Sequence, residues 1–445
     1  MTVHTPSGTG LGRGPLAPRR PTAAASNGAA RGSAGRPCAD PTRTGGPPEV
    51  PEDFCTEVFA SLRRKDQRRK ARQYLYGLLA AQGRKSIRNV AAVTGDPAAA
   101  QSLHHFIADS TWDWRPLRAA LAAWAERRRP ARALVVHPLT IPRAGNQSVG
   151  VDLLPDPRHR KTFHGQLAYG AWLASAELAV PVNWLLYLPE GVAPAAGRGS
   201  PAAGGNGTQG WAATAALTTP RDVGVSGKPV VLNVPGSANR ATLARFAYDA
   251  TPVLARAALD TRLTVADLGM PGYRRGCFSA QVILEAARSA RQPVWHTAGD
   301  DPRPATPTLA VAVPVRLAEE AAAGARRLLV GEWADPAGPP ERVWVTDLVD
   351  TPLQRLVEYA DLARRVDHDV ARAVESVGLR DFSGRSLAGW HRHVTLASAA
   401  YTAARHGREP SATASAGGTG YQDRGAPPAS TVPTRPRVGS PTPAP

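Results

Sequence analysis

Residues 133–139, ALVVHPL, open a series of short apolar runs: SVGVDLL (148–154), NWLLYLP (183–189), PVVLNVP (229–235), RLTVADLG (262–269), TLAVAVPV (308–315) and RVWVTDL (342–348). Runs of roughly four to eight β-branched, aromatic and leucine residues, bounded by Pro, Gly, Asn or Asp, read as strands. Ala/Arg-rich stretches with helical character, ATLARFAYDATPVLARAAL (241–259) and SAQVILEAARSA (279–290), separate several of them. Strands alternating with helices predict an α/β domain on a mixed sheet, here over residues 131–406.

Upstream, the pattern is different. From Asp53 to about Arg129 the periodicity is helical, with Leu75, Leu78 and Leu79 on one face and Ser110 placed to cap a helix over TWDWRPLRAAL. This predicts a small all-helical domain over 51–130. The block from Thr351 to His406 reads as helix, turn, helix. Residues 1–50 and 407–445 are rich in Gly, Pro, Ala, Ser, Thr and Arg with few large apolar side chains. Such segments bury too little surface to offset chain entropy and are expected to be disordered. A third low-complexity stretch, 191–210, is expected to be a surface loop inside the ordered region.

The chain has 445 residues, with 54 Lys and Arg against 36 Asp and Glu, a formal +18. That balance favours a polyanionic partner, because each basic side chain laid on a phosphate releases a condensed counterion. Half of the excess lies in residues 61–88, where Arg63, Arg64, Lys65, Arg68, Arg69, Lys70, Arg72, Arg84, Lys85 and Arg88 face a single acid, Asp66. These ten are the candidate contacts to double-stranded DNA; the bland alternative is a solvated helix face in an Arg-rich chain. A membrane-surface helix needs a bulky apolar stripe opposite the charge, and this segment lacks it. The most apolar stretch, 166–189, is broken by Glu177, Pro181 and Asn183, so no membrane partner is expected. Cys38, Cys55 and Cys277 are scattered and odd in number, which predicts neither a disulfide framework nor a zinc knuckle. The N-terminus has no apolar signal segment, and a cytoplasmic, nucleoid-associated protein is the simple expectation. His391 and His393 lack a third ligand at metal spacing, and the chain has no P-loop.

Four strings occur in a telling order: RKDQRRKARQYLYGLL with GRKSIRNVAA; QSLHHFIADSTWDWRPLR; PRAGNQSVGV with KTFHGQ and NWLLYLPE; and VESVGLRDFSGRSLAGWHRHVTLASAA. Together they resemble the insertion sequence 701 family transposases, of the DDE, RNase-H-like superfamily, over about residues 54–400. The resemblance implies a helical DNA-binding region, then an RNase-H-like core in which two Asp and one Glu hold two Mg²⁺ ions for DNA cleavage and strand transfer. It also suggests a homodimer across paired DNA ends. Hard cations of this kind take oxygen ligands, which is why three carboxylates are needed.

The family's first Asp lies on the first core strand, the second at the end of a later strand, and the Glu on a closing helix. Counted back from Pro142–Gly145, the first position falls on His137 and Pro138, neither of which can serve. Asp152 and Asp156 are the nearest acids, with no reason to reach the site. The second position matches Asp267 and the third Asp367, so Asp267 and Asp367 are the expected metal ligands and catalytic residues. Glu375 is a further acid matching no family position. The family's Lys, seven residues past its Glu, is Val374 here. The resemblance therefore implies a transposase-like protein with an incomplete carboxylate set; a non-catalytic DNA-binding protein derived from a transposase, and a decayed reading frame, are the alternatives.

Overall fold

The computed structural model describes residues 50–406 except positions 97, 157–160, 190–206, 267–268, 270–275, 296–306 and 319–324. The expected disordered ends and most of the 191–210 stretch therefore lie outside the described residues.

Five helices come first: α1 (Glu52–Val58), α2 (Lys65–Ala80), α3 (Ile87–Ala92), α4 (Ala99–Ala108) and α5 (Arg115–Arg128). The spacing of Ala71, Tyr74, Leu75 and Leu78 buries one face of α2, as its periodicity predicts. Ser86 caps α3 by accepting from Asn89 N at 3.2 Å. Ser110 is not the cap of α5. That helix starts at Arg115, whose N–H is taken by Asp113 Oδ1 at 3.0 Å.

Four strands follow, β1 (Ala133–Pro142), β2 (Val151–Asp156), β3 (Lys161–Ala174) and β4 (Ala179–Leu186), then α6 (Gly207–Val223), β5 (Val230–Leu232), α7 (Arg240–Tyr248) and β6 (Val253–Arg256). The end of the predicted loop, Gly207–Gly210, is thus the first turn of α6. The stretch 241–259 is not one helix. Pro252 disfavours helical backbone at the residue before it, and Ala250 takes a positive φ of 51°, so the chain turns and continues as β6.

β1 pairs antiparallel with β3, and β3 with β4; on its other edge β1 runs parallel to β5, and β5 parallel to β6. The order β4-β3-β1-β5-β6 is the five-stranded mixed sheet of an RNase-H-like fold, with β2 as an edge hairpin on β3. The remaining strands are β7 (Arg262–Val265), β8 (Cys277–Ser279), β9 (Gln292–Val294), β10 (Thr308–Leu317), β11 (Arg327–Trp333) and β12 (Arg342–Thr346), with the short α8 (Ala280–Ala286) between β8 and β9. They form an antiparallel extension: the sheet continues from β6 through β12, β11, β10 and β7 to β8.

After β12 the chain returns to the five-stranded part. The long α9 (Leu353–Val377) packs on β1, β3, β4, β5 and β6 and ends at Gly378, whose φ of 64° forms its left-handed C-cap. α10 (Leu387–His406) is buried from Gly389 to Ala403 and lies against α2, α4, α5, α9 and β4. The described residues belong to one compact unit. Among them, no helix is long and apolar enough to cross a membrane.

Candidate functional site

β1 and β5 run side by side in parallel, with Val136 opposite Leu232. The next residue on each strand is His137 and Asn233, and Asn233 N donates to Val136 O at 2.9 Å. Side chains alternate across a strand, so His137 shares a face with Val135 and Leu139, while Pro138 faces the other way. Of the two positions the sequence left open, His137 is the one on the face packed by α9.

α9 lays its apolar stripe, including Ala360, Ala363, Val366 and Val370, on the sheet and brings Asp367 to the same place. Oδ1 of Asp367 accepts from His137 Nδ1 at 3.0 Å and from Asn233 Nδ2 at 2.7 Å; Oδ2 accepts from Arg342 Nη2 at 3.1 Å. An ionised carboxylate only accepts, so the proton of His137 lies on Nδ1, and the 3.2 Å approach of Asn233 Nδ2 to that nitrogen is not a hydrogen bond. Burial pushes the Asp367 carboxyl up, but His137, Arg342 and Asn233 outweigh it and hold it below the usual carboxylate range. Arg256, at the end of β6, reaches Asn233 Oδ1 at 3.4 Å and lies 5.2 Å over the Trp344 ring. Burial and the neighbouring Arg342 both lower its pKa.

Five side chains from five elements thus meet where the parallel strands end, the usual ligand-binding edge of an open α/β sheet. The cluster opens to solvent: 33% of the Asp367 side chain and 19% of His137 are exposed.

Asp267 itself lies outside the described residues. The strand leading to it, β7, stands six steps along the sheet from β1, roughly 29 Å at ordinary strand spacing. At the strand end beside His137 stands Asn233, which a search for acids passes over. The available signal was its context: a short apolar strand, PVVLN, ending just before a helix capped by Asn239, whose Oδ1 accepts from Thr242 N at 2.9 Å. Of the other acids weighed, Asp152 is on the edge hairpin, with β3 between it and β1, and Glu375 is exposed on α9 eight residues past Asp367.

Two divalent cations do not fit this group. Of its oxygens, both of Asp367 and the one of Asn233 already accept, and two guanidinium groups stand beside them. Among the described residues no set of three or more His, Cys, Asp or Glu side chains is placed to hold a metal ion.

The basic segment presents Arg63, Arg64, Lys65, Arg69, Arg72, Arg84 and Arg88 to solvent, with Arg68 and Lys70 half-buried. Arg64 is paired with Asp66 at 2.9 Å, and Arg68 Nη1 donates to Leu62 O at 2.5 Å. Lys85 departs from the expectation: it is buried, its Nζ bonded to Ala81 O and its backbone N to Asp381 Oδ2 at 2.7 Å. The two C-terminal histidines pack inside. His391 stacks on Trp114 at 4.6 Å, and His393 is held between the Tyr74 hydroxyl at 2.9 Å and Gly378 O at 3.0 Å.

Residues 57–267 match the family model of the DDE superfamily endonucleases. The match runs from α1 through the helical block and the five-stranded sheet, so it includes His137 and Asn233 and stops short of α9. It supports a DDE transposase-type domain over those residues, of a class that works on DNA with divalent metal ions. No curated protein sequence matches the chain.

Proposed function

We propose that this protein is a DNA-binding protein derived from an insertion-sequence transposase, whose cleavage site has lost two-metal chemistry. One observation carries this reading: His137, Asn233 and Asp367 converge on the first core strand, the end of a later strand and the closing helix. Those are the three places where the resemblance puts Asp, Asp and Glu. Two of the three carboxylates are replaced by groups without negative charge, and the third is one methylene short and neutralised by Arg342. A metal-activated attack needs the cations first. Double-stranded DNA remains the partner, held by the exposed arginines around α2, and pairing of two DNA ends calls for a homodimer.

The test uses supercoiled plasmid carrying the DNA that flanks the coding region. The expected result is no nicking with Mg²⁺ or Mn²⁺, together with salt-dependent binding that flanking-end duplex competes for best. Nicking by the wild-type chain that disappears in Asp367→Asn would restore an active transposase. Absence of DNA binding would remove the reading altogether.

A further inference from the structure

We infer that Asp152 and Pro155 close the free edge of β2 to strand addition, so that neither a second copy of this chain nor an extended peptide joins the sheet there. The inference is independent of the DNA-binding reading above. It gives Asp152, an acid remote from the site, its place in the fold.

Pairing decides which backbone groups of β2 face the open side. The strand is bonded to β3 alone and stands at the end of the sheet order. Across β3, Arg143 N, just past the end of β1, donates to His164 O at 2.8 Å, so His164 turns its polar backbone groups toward β1. Opposite residues of an antiparallel pair either bond to each other or both point away. Leu153, opposite His164, therefore directs its N–H and C=O away from β3. Alternation along the strand gives Val151 and Pro155 the same direction.

At each of these three positions the donor is taken or missing. Val151 N donates to Ser148 O at 3.3 Å, in the turn before the strand. Leu153 N donates to Oδ1 of its neighbour Asp152 at 2.8 Å. Pro155 has no N–H. An antiparallel ladder needs donors and acceptors from both strands, and a partner strand would meet only carbonyls here. To gain a donor it would have to displace Asp152. A bond to an ionised acceptor is roughly twice as strong as one between neutral groups, so a backbone carbonyl competes poorly for that N–H.

The strand needs this protection. Residues 148–154, SVGVDLL, carry one charge among β-branched and leucine side chains, and Leu153 is 56% exposed. An exposed apolar edge of this kind is a template for pairing with copies of itself. Nor can β2 shift to hide Leu153. Leu154, on the opposite face, is buried over Gly165, where an added Cβ would lie 3.0 Å from Leu154 Cδ1. A slip of one residue would bury Leu153 and expose Leu154 in its place. Two copies of this chain therefore meet through other surfaces.

Two measurements on the full chain test this, and neither involves DNA. Hydrogen exchange resolved to single amides reads the Leu153 N–H directly. That amide should exchange slowly in the wild type and in Asp152→Asn, whose side-chain oxygen still accepts, and quickly in Asp152→Ala. Sedimentation velocity over a range of concentrations reads association. Asp152→Ala with Pro155→Thr, which frees both donors, should add species larger than any of the wild-type chain, and Asp152→Asn should add none.

A Leu153 amide that exchanges as fast in the wild type as in Asp152→Ala overturns the proposal, as does a folded double variant with the wild-type size distribution. Larger species in Asp152→Asn would show that charge, and not the occupied N–H, keeps chains apart, and would overturn it too. If the double variant fails to fold, the exchange comparison among wild type, Asp152→Asn and Asp152→Ala decides alone. Duplex binding by the wild-type chain is untouched by any of these outcomes, so the two readings fail separately.

Discussion

The proposed function rests on three side chains, and each was legible to a different degree. Asp367 was reached by counting from GLRDF. His137 was found together with Pro138, because a linear count cannot tell which of two neighbours points at α9; strand alternation does. Asn233 was not singled out, the second position having been assigned to Asp267, because an amide lacks the signal of a carboxylate and only the pairing of β1 with β5 puts it beside His137. If these are the three positions, His137→Asp, Asn233→Asp and Asp367→Glu together should create Mn²⁺ binding by calorimetry, absent in the wild type, and bring back detectable plasmid nicking. Pro138→Asp in place of His137→Asp should do neither. A folded triple variant without Mn²⁺ affinity refutes the assignment. A second residue-scale prediction concerns His393, whose burial outweighs its neighbours and lowers its pKa from 6.5 to about 4. The unfolded chain takes up this proton before the folded one, so the stability is full above pH 6.5 and is lost as pH falls toward 4. From about pH 7.5 to about pH 5 the loss is roughly 2 kcal/mol, and His391, also lowered by burial, acts in the same direction. His393→Gln, whose amide can still accept from Tyr74 and donate to Gly378 O, should flatten the dependence seen in urea melts at the two pH values. An unchanged slope would show that His393 does not carry it.

At the scale of elements, α2 shows how a basic helix is kept in position. Its apolar face was plain in the periodicity, but the close approach of α3 was not. A Cβ added at Gly77 would lie 2.5 Å from Val90 Cγ1 and 2.8 Å from Val90 O. Alanine in mid-helix normally gains up to about 1 kcal/mol over glycine. Overpacking against a backbone oxygen costs about 1–3 kcal/mol, so the clash wins. Gly77→Ala should lower the melting temperature and weaken DNA binding; a stabilised variant would show that α3 can move away freely. Under the proposed function, the basic segment 61–88 divides into charges that meet DNA and charges that hold the fold. Arg69→Gln with Arg72→Gln should reduce the slope of log affinity for duplex DNA against log salt by about two, while Lys85→Gln, just past α2 at a side chain turned inward onto Ala81 O, should lower stability and leave the slope unchanged. A slope change in Lys85→Gln would mean that the lysine swings out on DNA. β6 illustrates the limit of periodicity. VLARAAL (253–259) suits a helix as well as a strand, and the deciding features are Pro252 and, two residues before it, the positive φ of Ala250.

For the molecule as a whole, the mixed sheet and the helical block were both readable from period alone, but their joint was not. Apolar runs announce strands without saying which strands they pair with, so the antiparallel extension between β6 and α9 and the remote place of β7 emerged only from the pairing. The predicted boundary near residue 130 is likewise spanned by polar contacts between residues far apart in sequence. Arg118 of α5, wholly buried, donates to Asn183 Oδ1 at 2.5 Å and Trp184 O at 3.1 Å on β4, and to Thr395 Oγ1 at 2.8 Å on α10, with His391 Nδ1 at 3.1 Å. Arg392 of α10 returns the link to Ile107 O and Trp112 O at 3.1 and 3.2 Å. A loose pair of domains would leave such groups in water. Burying a guanidinium is worthwhile only if every partner is present, so helices and sheet should open together. Hydrogen exchange in the wild-type chain should give the same opening free energy for amides of α5 and of β1, the mark of one cooperative unit. Arg118→Met removes the donor from four buried acceptors, should cost roughly 3–5 kcal/mol, and should make α5 exchange before β1. If the wild-type α5 already exchanges well ahead of β1, the helical block is an independent domain and α2 can present DNA without engaging the site on the sheet.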